Sequence, residues 1–208
     1  MTTFHRFLLC FTAGHINASG FMATGRFVSH VTGFATLFGI DMANQKYGDA
    51  LGIISVPVFF LLGSFLAGLL IDRPVSLQQR PRFDLVMGLS ALCLFISALG
   101  GVTIPMYLLL ILLCMACGLQ NGTIGSYRTT HLTGLVTDLG LGLARLTNCS
   151  SHEQFIKEKK DNQLRAGAIL IFTLGSVIGA LMFIKIGHMG FFFSGLMASY
   201  AAWEGRKF

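Results

Sequence analysis

Charged residues are scarce in this chain of 208 residues, at 12%, about half the fraction in ordinary soluble domains. Hydrophobic residues make up 53% of the chain. Such a composition leaves too little polar surface to cover a globule in water, which excludes the ordinary soluble class and indicates that lipid is the solvent. The net charge of +6 lies mostly between the apolar runs, so it does not indicate nucleic-acid binding.

Acidic residues are absent from the middle of every apolar run, and Asp49, Asp72 and Asp84 lie at the ends. Many proton- or sodium-coupled carriers use a buried carboxylate, so this absence removes the usual coupling group. A Cys114-x-x-Cys117 pair lies inside an apolar run without nearby metal ligands, and packing is its expected role. We therefore expect no metal site and no cofactor.

Six apolar runs approach the length of about 20 residues that a bilayer requires. They cover residues 7–24, 50–71, 83–101, 103–120, 167–184 and 186–203. The first is the weakest, because His15 and Asn17 interrupt it. It resembles a signal peptide, but we interpret it as a retained span because it belongs to the repeat described below. The chain is thus predicted to be an all-α polytopic membrane protein, with a single transmembrane domain over residues 1–208.

Basic residues predict the orientation of these spans. The sequence between the third and fourth runs, "GGVTIP", carries no charge. Basic residues instead occupy the N-terminus, the second and fourth connections and the C-terminal tail: Arg6, Arg73, Arg80, Arg82, Arg128, Arg145, Lys157, Lys159, Lys160, Arg165, Arg206 and Lys207. The positive-inside rule then gives six transmembrane helices with both termini cytoplasmic. An eight-span alternative would place Arg73, Arg80 and Arg82 outside, against the rule.

A polar segment occurs twice, as "HVTGFATLFG" at residues 30–39 and "HLTGLVTDLG" at residues 131–140. Upstream, "GHIN" matches "GLQN", and downstream "FLLGSFLAGLL" matches "FTLGSVIGALM". Each unit contains three spans and a Gly-broken short helix after its first span. Because three is odd, the second unit is inverted in the membrane. We predict repeat one at about 5–101, repeat two at about 103–204, and a charged cytoplasmic insert at about 146–163.

Inverted repeats of this kind are typical of secondary transporters, whose site lies near the midplane where interrupted helices from both halves meet. Each Thr is expected to cap the short helix, while Gly permits the turn and a close approach. The candidate substrate-binding residues are Asn17, His30, Thr32, Gly33, Asn121, His131, Thr133 and Gly134. The alternative is a pair of capped surface helices without a ligand, with the two asparagines as interhelical hydrogen-bond partners.

Further residues have charge or packing roles in this interpretation. Arg26, Arg128 and Asp138 are candidates for charge or gating, and the alternative is that the arginines reach the headgroups and Asp138 lies at the surface. The small residues Gly63, Gly175 and Gly179, with Ala67, form ridges for helix packing. His15, His152 and His188 have no counterpart in the other half and receive no role.

The pattern resembles a known family. The segments "G-x-x-N…HVTGFATLFG" and "GLQN…TTHLTGLVTDLG" are similar to the two signatures of the YoaK-like small permeases, bacterial six-span membrane proteins of largely uncharacterised function. The resemblance covers nearly the whole chain. It departs at Asn17, where the family usually has Asp, and at Phe34, where it usually has Asn. The resemblance implies a permease of the bacterial inner membrane and no particular substrate.

The leading hypothesis is a secondary transporter of a small polar or anionic solute, working as a homodimer paired through the small-residue ridges. Its expected partners are the lipid bilayer and the solute, and not nucleic acid. One alternative is a non-transporting scaffold or membrane-stress factor. Another is an intramembrane enzyme that uses His30 or His131, but the chain lacks a matched nucleophile, a carboxylate pair and clustered metal ligands, so we expect no enzyme.

Overall fold

The computed structural model describes residues 2–123 and 131–206, and within these residues it contains helices and no strand. Eight α-helices follow one another: α1 (Thr3–Thr24), α2 (Val31–Ala43), α3 (Tyr47–Ser76), α4 (Phe83–Gly100), α5 (Met106–Gly122), α6 (Leu132–Thr147), α7 (His152–Ile186) and α8 (Gly190–Gly205). Each of the six predicted apolar runs overlaps one of the helices α1, α3, α4, α5, α7 and α8. The chain is therefore an all-helical protein of the membrane type.

Three helical stretches in the described residues are long and apolar enough to cross a membrane, namely Tyr47–Ser76, Phe83–Thr103 and His152–Gly205. Shorter apolar helices cover Val31–Ala43 and Met106–Gly122. The helix α1 has the length of a span, but its polar residues lower its hydropathy, as expected from the interruptions at residues 15 and 17.

Local sequence explains where the principal helices begin and end. The hydroxyl of Thr2 accepts a hydrogen bond from the backbone N–H of His5 at 3.3 Å and caps α1. Gly25, with φ of 68°, ends α1, and its N–H donates to the carbonyl of Phe21 at 2.7 Å. Ser151 caps α7 through the N–H of Gln154 at 3.2 Å. Because Gly25 adopts the left-handed conformation, the chain turns back there instead of extending α1.

The first half of the chain packs on the second through two parallel helix pairs. In the pair α1–α7, Phe7 lies against Gly167 and His15 lies against Gly179, so both helices run in the same direction. In the pair α3–α5, Gly52 lies against the ring of Tyr107 and Gly63 against the carbonyl of Met115, which again gives a parallel pair. Each pair joins one helix from each half.

The pair α4–α8 is antiparallel. Gly195 of α8 packs against Phe95 of α4, and Gly205 packs against Phe83, so these two helices run in opposite directions. The amide of Gln120 in α5 donates to the carbonyl of Leu9 in α1 at 2.7 Å. The α4–α8 and α1–α5 pairs therefore also join one helix from each half of the chain.

The helix pairs α1–α7 and α3–α5 make equivalent close contacts, each at a glycine. A Cβ added to Gly14 would overlap the carbonyl of Phe172, and one added to Gly118 would overlap the carbonyl of Phe60. The hydroxyl of Ser176 donates to the Gly14 carbonyl at 3.3 Å, and the hydroxyl of Ser64 donates to the Gly118 carbonyl at 3.1 Å. We call these two contacts the glycine crossings. They give the repeated "F-x-L-G-S" motif a common structural role.

The small-residue ridges lie inside the chain. A Cβ on Gly63 would lie 2.5 Å from the carbonyl of Met115, and one on Gly179 would lie 2.5 Å from the carbonyl of His15. Gly175 meets the carbonyl of Phe11 in the same way. Because both ridges are occupied by helices of the same chain, they are not the surface on which two copies pair. The expected mode of dimer contact is therefore wrong.

The described parts of the N- and C-terminal segments lie together at one end of the molecule. The rings of Phe4 and Tyr200 have centroids 6.4 Å apart. The Arg80 guanidinium donates to the carbonyl of Gly205 at 3.2 Å, which brings the connection between α3 and α4 to the same place. Because α7 runs parallel to α1, the turn between α6 and α7 also lies at this end. We call it the basic end.

The predicted charged insert at 146–163 is mostly helix and not a loop. From His152 onward it forms the first turns of α7, which packs against α6. The carboxylate of Glu158 accepts a hydrogen bond from Arg165 at 2.7 Å and lies 3.7 Å from the Arg145 guanidinium of α6. A Cβ on Gly142 would collide with this group, so α6 and α7 approach closely there. Arg145 and Glu158 thus link α6 to α7 at the basic end.

Gly118→Ala is expected to lower the free energy of unfolding by about 1–3 kcal/mol, because its methyl group has no room beside the Phe60 carbonyl. The midpoint of thermal unfolding of the detergent-solubilised protein measures the change. Gly39→Ala is the matched control, since Gly39 is also helical but has no atom within 4 Å of an added Cβ. An equal midpoint for both variants would contradict the close approach.

The link to Glu158 should depend on pH. The hydrogen bond from Arg165 holds the pKa of Glu158 below its ordinary value of 4.5. A depressed pKa means that the stabilisation is complete above pH 4.5 and is lost as the pH falls below that value. Wild type should therefore unfold at a higher temperature than Glu158→Gln at pH 7, and the difference should shrink toward pH 3.5.

The control for this pH effect is Asp161→Asn on the same helix, since Asp161 has no ion pair with another described residue. A gap between wild type and Glu158→Gln that is unchanged at pH 3.5 would refute the assignment.

Candidate functional site

A cavity of about 750 Å³ lies between the two halves, at the level of the glycine crossings. All helices except α4 and α8 contribute to its wall. Its described lining residues are Asn17, Ser29, His30, Val31, Thr32, Pro57, Phe60, Leu61, Ser64, Asn121, His131, Leu132, Thr133 and Phe172. Several of these side chains are exposed, including His30 and Thr133, so the cavity is open to the exterior. We call it the central cavity.

Six of the eight predicted binding residues line the central cavity: Asn17, His30, Thr32, Asn121, His131 and Thr133. The first three belong to one half and the other three are their counterparts, so the two polar segments begin at the same place. The other two predicted residues, Gly33 and Gly134, lie one position beyond the lining. The structure therefore does not place the segments on opposite surfaces far from each other.

The path of the chain after α1 explains how α2 reaches the cavity. After Gly25 the chain runs back along α1, and Val28 packs against Gly20. The side-chain oxygen of Asn17 accepts hydrogen bonds from the N–H of Val28 at 3.3 Å and from the hydroxyl of Ser29 at 3.1 Å. Asn17 is about 21 Å along an α1 helix of about 33 Å, so α2 begins inside the bundle and not at its end.

Both short helices begin at the histidines of the repeated motif. His30 is the N-cap residue of α2 and His131 that of α6, and neither helix has a side-chain cap. Thr32 and Thr133 are the second helical residues, so the expectation that threonine caps these helices is wrong. The first backbone N–H groups of a helix have no partner within the helix and carry the positive end of its dipole. Two such ends therefore lie at the central cavity.

The glycines of the motif provide space for the histidine rings. A Cβ on Gly134 would lie 2.6 Å from Cδ2 of His131, and one on Gly33 would collide with the ring of His30. Neither glycine has a positive φ, and both lie within uninterrupted helices. The expectation that Gly33 and Gly134 break these helices is therefore wrong. In the first half the interruption comes earlier, at residues 25–30, after Gly25 ends α1. The sequence His-x-Thr-Gly allows each imidazole to fold over the first turn of its helix.

The hydroxyls of Thr32 and Thr133 are available to a solute. Neither makes a hydrogen bond to another described residue, although both residues are exposed and line the cavity. One turn later, Thr36 and Thr137 donate to the carbonyls of Thr32 and Thr133, at 3.5 and 2.9 Å. The hydroxyls of Thr32 and Thr133 therefore lack the intrahelical hydrogen bonds that the hydroxyls of Thr36 and Thr137 make.

Two of the three predicted charged residues, Arg26 and Asp138, do not line the central cavity. Arg26 lies in the segment after α1, where its backbone N–H donates to the Thr24 hydroxyl at 3.3 Å, and Asp138 is exposed further along α6. Arg128 lies outside the described residues. Among the described lining residues none carries a permanent charge. The wall therefore offers hydroxyls, amides, imidazoles and helix N-termini to a solute.

Sequence reasoning missed part of the wall. Phe60 and Phe172 face the cavity from equivalent positions in the two halves, and Ser64 and Pro57 join them. The signal for Phe60, Phe172 and Ser64 was present in the repeated "F-x-L-G-S" motif. Pro57 lies inside α3 and cannot donate a backbone hydrogen bond, which leaves a carbonyl one turn earlier without its helical partner.

His15, which has no counterpart in the second half, lies away from the cavity. Its side chain is fully buried, with Nδ1 2.8 Å from the Ser194 hydroxyl and Nε2 3.4 Å from the sulfur of Met182. These contacts join α1 to α7 and α8. His15 is therefore a packing residue within the described bundle.

A bundle of long apolar helices around an internal polar cavity defines a helical membrane protein. The chain belongs to the DUF1275 family of proteins of unknown function, whose model matches residues 6–203. This match covers nearly the whole chain and confirms the resemblance to an uncharacterised YoaK-like family. No curated protein and no solved structure matches the chain.

Asn17→Ala should release the segment before α2, because it removes the acceptor for Val28 and Ser29. Amide hydrogen exchange at Val28, whose N–H donates to Asn17, is expected to rise about three- to tenfold, the effect of losing a hydrogen bond of about 1 kcal/mol. Asn17→Asp keeps an acceptor oxygen and should retain most of the protection. Equal protection in Asn17→Ala and wild type would show that this residue does not hold the segment.

Proposed function

We propose that this protein is a permease of the bacterial inner membrane with six transmembrane helices, arranged as two inverted repeats. In this arrangement α1, α3, α4, α5, α7 and α8 cross the bilayer. The parallel pairs α1–α7 and α3–α5 and the antiparallel pair α4–α8 support it, because each has the relative direction that six alternating crossings require. The short helices α2 and α6 run from the central cavity toward opposite sides of the membrane.

The charge distribution supports an orientation with both termini in the cytoplasm. The basic end carries most of the described cations: Arg6, Arg73, Arg80, Arg82, Arg145, Lys157, Lys159, Lys160, Arg165 and Arg206. Lys46 and Lys185 lie toward the other end, in the turn before α3 and at the end of α7. Cytoplasmic connections of membrane proteins are enriched in Lys and Arg, so the basic end is cytoplasmic in this proposal.

The observation that carries the proposal is the meeting of the two His-x-Thr-Gly segments at the central cavity. Transporters built from inverted repeats bind their solute where interrupted helices of the two halves meet. Here each half contributes an asparagine, a histidine and a threonine to one wall. A surface role for the two segments would not require them to share a cavity inside the bundle.

The chemistry of the wall favours a small solute that accepts hydrogen bonds. Two uncapped helix N-termini and the free hydroxyls of Thr32 and Thr133 provide donors, and the described lining has no carboxylate to repel an anion. Phe60 and Phe172 provide apolar surface on two sides. A small polar or anionic solute suits this combination, and no catalytic step is part of the proposal. A homodimer remains a prediction, and would need a surface other than the small-residue ridges.

Replacing both threonines by valine should slow transport strongly while preserving the fold, since valine matches the shape of threonine without its hydroxyl. Purified protein in proteoliposomes is screened for uptake of radiolabelled small polar solutes and monovalent anions. For a transported solute, Thr32→Val/Thr133→Val should lower the initial uptake rate at least tenfold, because two hydrogen bonds of about 1 kcal/mol each are lost.

Thr36→Val/Thr137→Val is the matched control, because these hydroxyls are bonded within their own helices and do not line the cavity. It should retain most of the uptake. If wild type moves no solute across the screen, or if both double variants lose uptake equally, the central cavity is not a transport site. A scaffold would instead show a cellular phenotype that is insensitive to Thr32→Val/Thr133→Val.

A further inference from the structure

A second cavity, of about 420 Å³, adjoins the central cavity on the side of the basic end. The two cavities share Ser64 and Asn121 in their walls. The other residues that line the second cavity are Gly68, Ile71, Asp72, Phe83, Gly122 and Thr123. They belong to the final turns of α3, the start of α4 and the end of α5. We call this space the vestibule.

Asp72 is the one charged side chain in the described lining of either cavity. Its carboxylate oxygen lies 3.6 Å from the position of a Cβ on Gly68, so the side chain folds back along α3 over that glycine. Asp72 has no ion pair or hydrogen bond to another described residue, and its neighbour Arg73 does not line the vestibule. Arg82 is already paired with Asp84 at 3.2 Å. The vestibule therefore has an exposed carboxylate without an ion pair to another described residue.

The vestibule breaks the equivalence of the two halves. The glycine crossings make Phe60 equivalent to Phe172, and the same offset along the helices makes Gly68 equivalent to Ala180 and Asp72 equivalent to Ile184. In the second half the methyl group of Ala180 stands at the position that is open at Gly68. The apolar side chain of Ile184 stands at the position of the Asp72 carboxylate. The second half therefore lacks both the glycine and the carboxylate that the vestibule has in the first half.

We infer that the vestibule is the route between the central cavity and the basic end, and that Asp72 sets its charge preference. A carboxylate about 12 Å from Ser64, two helical turns away, attracts cations and repels anions in a space bounded by protein. The helix N-termini of the central cavity have the opposite preference. This inference rests on the proposed function and narrows its solute to a neutral polar molecule, which neither the carboxylate nor the helix N-termini repel.

The test measures how fast charged thiol reagents reach Ser64→Cys, in a chain that also carries Cys93→Ser and Cys149→Ser. Membrane vesicles of each orientation are exposed to membrane-impermeant methanethiosulfonates bearing either a trimethylammonium or a sulfonate group. Labelling of the native Cys149, in the turn between α6 and α7, identifies in parallel samples the vesicles whose basic end faces the medium. The cationic reagent should react faster than the anionic one from that side.

Asp72→Asn should lower the ratio of the cationic to the anionic rate about three- to tenfold, the effect of one charge at this distance after screening by salt. Gly68→Leu should slow both reagents, because Gly68 lines the vestibule and a Cβ there meets no atom of another helix within 4 Å. Ala180→Leu is the matched control in the second half and should leave both rates unchanged. Leu61→Cys, also in the central cavity, is a second labelling position. It is needed because Ser64→Cys replaces the hydroxyl that donates to the Gly118 carbonyl at one glycine crossing.

A rate ratio that Asp72→Asn leaves unchanged at both labelling positions would overturn the role of the carboxylate. Reaction only from the side opposite to Cys149 would overturn the route. Labelling requires no solute, so its outcome is independent of the uptake screen. The expected labelling with no uptake of any solute would refute the proposed function alone, and uptake without labelling through the vestibule would refute this inference alone.

Discussion

Contact between backbones at Gly14 and Gly118 is the constraint on which the rest of this fold depends. A helix pair can approach this closely only where one helix lacks a side chain, and here each glycine meets a phenylalanine carbonyl of the partner helix. The serine that follows in the motif then reaches the glycine carbonyl. Because Phe60 and Phe172 lie in these contacts, the crossings also fix the two aromatic walls of the central cavity. Packing and site are therefore built from the same few residues.

The short helices depend on this frame. Helices of the length of α2 and α6 are marginal in isolation, and neither has a side-chain cap at its first turn. The start of α2 is held instead by Asn17, which accepts from the segment that precedes it. An aspartate at this position could accept the same two hydrogen bonds. The amide in this chain fills the structural role without placing a negative charge in the site.

The positions of the long helices followed from hydropathy, because a span of about 20 apolar residues is a local property of the sequence. The repeat also predicted which polar residues share a cavity, since Asn17, His30 and Thr32 line it together with their counterparts in the second half. Other features depend on how closely particular side chains and helices approach one another in three dimensions. Only the coordinates show that His30 and His131, and not the threonines, begin the short helices, or that Gly33 and Gly134 make room for the rings. The sequence alone does not distinguish a glycine that allows the backbone to turn from one that leaves space for a neighbouring side chain.

The departures from symmetry are as informative as the symmetry itself. Two equivalent halves explain how polar groups of like kind converge, but an identical pair would present the same surroundings to both sides of the site. Two of the differences between its halves are the helical extension of α7 and the residues around Asp72. Both lie at the basic end. The extension of α7 contacts α6 through the ion pair between Glu158 and Arg145. Arg145 belongs to α6, whose N-terminus lines the central cavity. Asp72 lies at the end of α3, on the helix that carries Ser64 and Phe60. Each departure therefore acts on a helix that forms the wall of the central cavity. As a result, the surroundings of the cavity differ between the basic end and the opposite end of the molecule.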